Sequence, residues 1–147
     1  MYICCAKAQL ANKLPLLTQR SEFLYLQRAI DETVSMIRLQ IERIKQMYVL
    51  LDSFYQLESC VGLTGILDEA FQSVGLPDEN AALRDLSVLF YMQNIESIEA
   101  ASFKTMLLVA NRLEQPTIVQ LLQECYNEAQ EDNLLFRQIT ETYLLTR

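Results

Sequence analysis

Between Ile30 and Leu51 the apolar residues recur with a 4-3-4-3-4-3 spacing: Ile30, Val34, Ile37, Ile41, Ile44, Tyr48 and Leu51. A strand would alternate every two residues, whereas this period belongs to one stripe of an α-helix. It is the seam of a helix packed nearly parallel or antiparallel to its neighbours, and it predicts that Ile37, Ile41 and Ile44 are almost fully buried. Ser21 can cap this helix, which then runs from about Glu22 to Leu51, roughly 45 Å at 1.5 Å per residue. A stripe of that length is buried only against other long helices. The rest of the sequence agrees: 3 Gly and 3 Pro in 147 residues are too few for the turns of a sandwich or barrel. With 51% hydrophobic and 21% charged residues the chain builds a core and is not disordered. Its length suits a single domain, residues 1–147.

Three more long helices are predicted. The first covers Tyr2 to about Gln19, favoured by Ala6, Ala8 and Ala11, and is kinked or ended by Pro15. The third starts near Asp78, a capping residue followed by Glu79 at the positive end of the helix dipole, and reaches about Asn111. Pro116 suits the first turn of the fourth, which carries Ile118, Leu122, Cys125, Ala129, Phe136 and Ile139 and ends near Leu145. All three glycines (Gly62, Gly65, Gly75) and Pro77 fall between the second and third helices. There Ile66, Leu67, Ala70 and Phe71 suit one short helix between about Val61 and Ser73. Short connections make helices one and two, and three and four, antiparallel neighbours, while roughly 26 residues separate the two hairpins. That is enough to travel the length of the bundle, so helix two runs parallel to helix three. The expected fold is all-α: a ferritin-like four-helix bundle with a long crossover carrying a short extra helix.

Charge and residue usage exclude several functions. Against 19 acidic residues stand 12 basic ones, a net charge of -7, which argues against nucleic-acid binding. No apolar run reaches the ~18 residues of a membrane span, and Met1–Leu10 lacks the basic start and apolar core of a signal peptide. A cytoplasmic location is expected. The chain has no His and no Trp, so Ser–His and Cys–His catalysis, His-bearing zinc sites and the Glu-x-x-His iron motif are out of reach. Cys4 and Cys5 are adjacent and make a poor disulfide, and the spacing to Cys60 and Cys125 matches no zinc pattern. All four read as small hydrophobes. Tyr2, Tyr25, Tyr55 and Tyr91 leave aromatic residues for a surface patch, and a two-fold homodimer is the expected assembly.

Carboxylates interrupt two of the stripes. On helix three Leu89, Met92, Glu96, Glu99, Phe103, Met106 and Ala110 share one seam; on helix four Leu121, Cys125, Glu128, Asp132, Leu135 and Ile139 do. Buried carboxylates are costly unless paired, protonated or metal-bound, and inward carboxylates at mid-helix are what a di-iron or di-manganese site uses in this topology. Helix three has a second stripe, however: Leu86, Ile95, Ile98, Ser102, Thr105 and Val109. A modest rotation onto it moves Glu96 and Glu99 to the bundle margin, paired with Arg or Lys. Helix one offers Lys7 in its apolar middle, and the seam of helix two holds no carboxylate, Glu32 lying off it. A central cation repels a metal and pairs with Glu96 or Glu128 instead, or snorkels to the bundle end.

At these residues the chain resembles the bacterial ferritin-like stress proteins of the YciE/YciF type, a domain family of unknown function, from Cys5 to about Thr142. The likeness is carried by Ala-Lys-Ala-Gln-Leu at Ala6–Leu10 with Leu14-Pro15, by Ile41-Glu42-Arg43-Ile44 with Tyr48 to Leu51, and by Cys60-Val61-Gly62-Leu63 with Ile66-Leu67-Asp68-Glu69. Ile95-Glu96-Ser97-Ile98-Glu99 and Leu121-Leu122 with Glu128 complete it. The resemblance implies the ferritin-like fold and an iron centre, but most ligand positions are changed. The family's helix-one Glu falls on Lys7, its helix-two His and Glu on Thr33 and Met36, its helix-three His on Ser97, and the second Glu of its helix-four pair on Ala129. Glu96, Glu99 and Glu128 are retained.

The expected function is that of a non-catalytic helical bundle, stress-related by resemblance, acting by self-association or through a protein partner, with no cofactor and no bound metal. The alternative is a carboxylate-bridged iron or manganese protein that handles peroxide through Glu96, Glu99, Glu128 and Asp132; all-oxygen sites need no His. A third reading is a carrier of lipid or another small apolar ligand in a pocket lined by Met36, Met47, Met92, Met106 and Phe103.

Overall fold

A computed structural model of the chain describes residues 2–18, 24–51 and 81–146. Four helices make up these segments: α1 (Tyr2–Thr18), α2 (Leu24–Leu50), α3 (Ala81–Arg112) and α4 (Pro116–Leu145). The short helix expected between Val61 and Ser73, the Asp78 cap and Cys60 lie outside the described residues. α1 continues through Pro15 to Thr18. The proline removes one backbone donor, but it lies within one turn of Thr18, at the end of the helix, where the loss disturbs little of it. Pro116 occupies the first turn of α4, where its missing N–H has no partner to lose.

Apolar packing is divided into two clusters. One joins Leu10 and Leu14 of α1, Leu26, Ile30 and Ile37 of α2, Leu89 and Met92 of α3, and Phe136 and Tyr143 of α4. The other joins Ile44 and Met47, Phe103 and Leu107, and Ile118, Leu122, Cys125 and Ala129. The early turns of α2 thus meet the early turns of α3, and the late turns of each meet again at the other end. α2 and α3 run parallel, while α1 and α4 run antiparallel to them, as the connection lengths require. The chain is the expected ferritin-like bundle.

Within α2 the core stripe departs from the sequence pattern. Ile37 and Ile44 are buried, but Ile41 is only partly so, Tyr48 is half-buried and Leu51 is exposed. The deep positions between and beyond are Gln40 and Met47. On α3 likewise Leu107, not Met106, is the buried residue after Phe103. The heptad-like spacing survives; the face it marks is turned by one residue, because Gln40 has a buried partner that Ile41 cannot satisfy.

α3 and α4 are joined through Leu113, Glu114 and Gln115. Glu114 has φ 54°, the left-handed region, where a Cβ is disfavoured by about 1–2 kcal/mol. Gln115 precedes α4 without a side-chain cap bond. Glu114→Gly should raise stability by about 1 kcal/mol in urea unfolding, the relief of Cβ strain being partly offset by the entropy glycine adds to the unfolded chain. Ile44→Ala should cost about 2–5 kcal/mol and Ile41→Ala about half as much or less; equal losses would show that both isoleucines occupy the same depth.

Candidate functional site: a buried polar layer

Between the two apolar clusters lies a layer of polar side chains to which all four helices contribute. Lys7 of α1 is wholly buried. Its Nζ donates to Glu99 Oε2 of α3 at 2.6 Å and to Gln40 Oε1 of α2, and lies 5.5 Å from the centroid of the Phe103 ring. An ammonium carries three donors; two carboxylate or amide oxygens and an aromatic face surround this one. Gln40 then passes the bonding on: its Nε2 donates to Glu128 Oε2 of α4 at 2.9 Å. The other oxygen of Glu128 receives Arg43 Nη1 at 2.5 Å, and Arg43 Nε approaches Glu124 Oε2 at 3.3 Å. The result is one connected path, Glu99–Lys7–Gln40–Glu128–Arg43–Glu124, running from the interior to the surface. Two cations and two of its three carboxylates lie within the bundle, so their charges balance, which is what burial of ions demands.

The structure resolves the choice left open for α3. Glu96 and Glu99 are buried at 1% and 6% exposure, and they point inward rather than sit at the bundle margin. Glu128 and Asp132 of α4 are half-buried beside the core residues Cys125, Ala129 and Phe136. Gln40 and Arg43 were not recognisable as members of the layer from the α2 seam. Their three-residue spacing puts both on the α4 side of α2, and that spacing, together with the surplus of inward carboxylates over Lys7, is the signal that points to them. Thr33 is buried with no partner for its hydroxyl among the described residues, and Met36 is half-buried. Ser97 is exposed, where it donates to Gln93 O and accepts from Asn133 Nδ2 at 2.8 Å.

Burial sets the protonation of the layer. Glu96 is held well above the usual carboxylate range, first by desolvation and then by the neighbouring charge of Glu99, with Lys7 opposing. Its Oε2 has no hydrogen-bond partner among the described residues, in keeping with a carboxyl that has no cation of its own and favours its neutral form. Asp132 is raised to about 6, again by desolvation first, against the attraction of Lys7. Burial and the Glu128 charge push the Cys125 thiol up to about 11, so it stays a thiol at neutral pH and is a poor nucleophile. Arg43 is raised by its bond to Glu128.

A dinuclear carboxylate centre needs about four carboxylates, and commonly two imidazoles, converging on the two ions. Here an ammonium occupies the middle of the carboxylates, an amide bridges two of them, and imidazole is absent from the chain. Among the described residues no three Cys, Asp or Glu side chains form a group able to hold a metal ion. The residues present do not fit that centre. Of the residues proposed for an apolar pocket, Met47 and Met106 line a cavity of about 230 Å³ with Val109, Ile118 and Leu122 at one end of the bundle; Met92 and Phe103 are core. No helix among the described residues is long and apolar enough to cross a membrane.

A profile for a domain of unknown function, DUF892, matches residues 3–146. No curated protein matches the sequence. The fold is similar to that of the Escherichia coli stress protein YciF, with a TM-score of 0.89 and 23% identity over 99% of this chain and 94% of that one. It is also similar to YcfI of Rhodopseudomonas palustris, with a TM-score of 0.84 and 23% identity over 92% and 85% of the two chains.

Lys7→Met leaves Glu99 buried without its cation and should cost about 3–5 kcal/mol at neutral pH, while Lys7→Met combined with Glu99→Gln should recover part of the loss; an additive double variant would show that the two groups are not coupled. Asp132 binds its proton more tightly in the folded than in the unfolded state, so it lowers stability as pH rises from about 4, its unfolded value, to about 6. Asp132→Asn should therefore flatten the pH dependence of the unfolding midpoint across that window and be the more stable protein at pH above about 6.

Proposed function

The chain belongs to the DUF892 family, and from that premise we propose that it is a non-catalytic member: a helical bundle whose centre is structural and whose activity is binding, to a second copy of itself or to a protein partner. The observation that carries this is the wholly buried Lys7 ammonium, 2.6 Å from Glu99 Oε2, in the middle of the polar layer. A carboxylate centre that handles peroxide works by holding redox-active cations between its oxygens. Replacing one carboxylate with lysine changes the local charge by two units and fills the space with a tethered cation, so affinity for a divalent ion falls steeply. Lys7 acts here as the fixed counter-ion of Glu99, and Arg43 as that of Glu128. Cys125 offers no thiolate as a substitute redox group.

A place in a bacterial stress response is part of the proposal, taken from YciF, the stress protein whose fold this chain shares. So is a cytoplasmic location, where thiols such as Cys125 remain reduced. The test is elemental analysis of protein produced in medium supplemented with iron and manganese, together with peroxide consumption by the same preparation. Well under one metal ion per chain and no peroxide consumption above the buffer rate are expected. Two ions per chain with peroxide turnover abolished by Glu96→Gln would replace this reading with the metalloprotein.

A further inference from the structure

α3 reverses the usual distribution of acidic residues on a helix. Its acidic residues Asp85, Glu96 and Glu99 are all buried, whereas none of its exposed positions from Leu83 to Ala101 is charged. α2 shows the ordinary pattern on its outer face, with Arg28, Asp31, Glu32, Arg38, Glu42 and Lys45 exposed. The outward stripe of α3 runs Leu83, Ser87, Phe90, Asn94, Ser97, Ala101, Lys104 and Leu108, again with a 4-3-4-3-4-3-4 spacing, over about 37 Å. Phe90 and Leu108 are exposed at 61% and 62%. The polar groups on and beside this stripe are turned back on their own helix: Ser87, Asn94, Ser97, Ser102 and Thr105 each donate to the carbonyl four residues earlier. Each already uses a hydrogen-bond donor on its own helix, and only the second N–H of Asn94 is left over, so covering them with a dry surface strands few polar groups.

We propose that this face of α3 is the self-association surface of the protein, joining two copies across a two-fold axis with the α3 helices antiparallel. This rests on the reading of the bundle as a self-associating protein and names the surface. The occupant follows from the stripe itself. With the axis between Asn94 and Ser97, Asn94 meets Ser97 of the second copy, Phe90 meets Ala101, Ser87 meets Lys104 and Leu83 meets Leu108. The bulky Phe90 is thereby set against the smallest residue of the stripe, twice, and the two amide–hydroxyl pairs lie at the centre. A two-fold contact brings each patch against itself. On a chain of net charge -7 that is unfavourable wherever acidic residues are exposed, and the stripe of α3 avoids it, because it holds no acidic residue and its one charged member, Lys104, is a cation set opposite Ser87. Seams of this spacing cross at about 20° and interdigitate along their length. One helix pair buries an area at the low end for specific interfaces, about 1,200 Å², consistent with a dissociation constant in the micromolar range.

Sedimentation equilibrium of the full chain tests this, with far-UV circular dichroism to establish that each variant is folded. The wild type should be dimeric at about 100 µM. Phe90→Glu and Ala101→Glu should each weaken the dimer by about 100-fold or more, since each places a carboxylate in the seam twice, whereas Leu39→Glu on the exposed face of α2 should leave it unchanged. The double variant Phe90→Glu with Ala101→Lys should recover most of the dimer, because only the antiparallel pairing sets those two positions opposite each other. A wild type that stays monomeric overturns self-association and this surface with it. A dimer that survives both single glutamate substitutions overturns the surface and leaves self-association standing. Loss of the dimer without rescue in the double variant overturns the antiparallel pairing.

Discussion

The bond between the Lys7 ammonium and the Glu99 carboxylate orders the middle of this bundle. A wholly buried ammonium is tolerated only where acceptors and a counter-charge meet it, and the three groups that do come from two helices: Glu99 and the ring of Phe103 on α3, and Gln40 on α2. Meeting that requirement fixes the rotation of α3, which turns Glu99 inward and Glu96 with it. It also fixes the rotation of α2, which brings Gln40 rather than Ile41 to the deep position. The remaining links, Gln40 to Glu128 and Glu128 to Arg43, tie α4 to the same layer.

This dependence explains which parts of the structure the sequence discloses. Helix number, order and direction follow from apolar periodicity, Pro116 and the lengths of the connections, all of which are local properties. The rotations of α2 and α3 are not. α3 carries two stripes of similar apolarity, one through Glu96 and Glu99 and one through Ile98, Ser102 and Thr105, and hydrophobicity alone does not rank them. What ranks them is Lys7, more than 90 residues away in the chain, and its pairing with Glu99 is visible only once the helices are assembled. Gln40 and Arg43 are hidden in the sequence for the same reason: an Arg and a Gln beside an isoleucine-rich seam look like its flank until Glu128 is placed between them. Lys7 itself was legible, because a cation in the apolar middle of a helix has few destinations.

The same rotation has a consequence at the surface. Turning the acidic residues of α3 inward leaves its outer face from Leu83 to Ala101 with serine, asparagine, alanine and large apolar side chains and no charge. The polar layer and the outer stripe free of acidic residues are thus two sides of one arrangement. A carboxylate-rich interior serves metal chemistry in many bundles of this topology; here the interior cation is supplied by the chain.

The measurement that bears most directly on Lys7 as the cation of this centre is anomalous scattering from crystals grown in manganese and iron. The account predicts no anomalous peak within the polar layer and density for the Lys7 side chain continuous with Glu99 and Gln40. Two peaks about 3.5–4 Å apart between Glu96 and Glu128, with Lys7 displaced from Glu99, would contradict it.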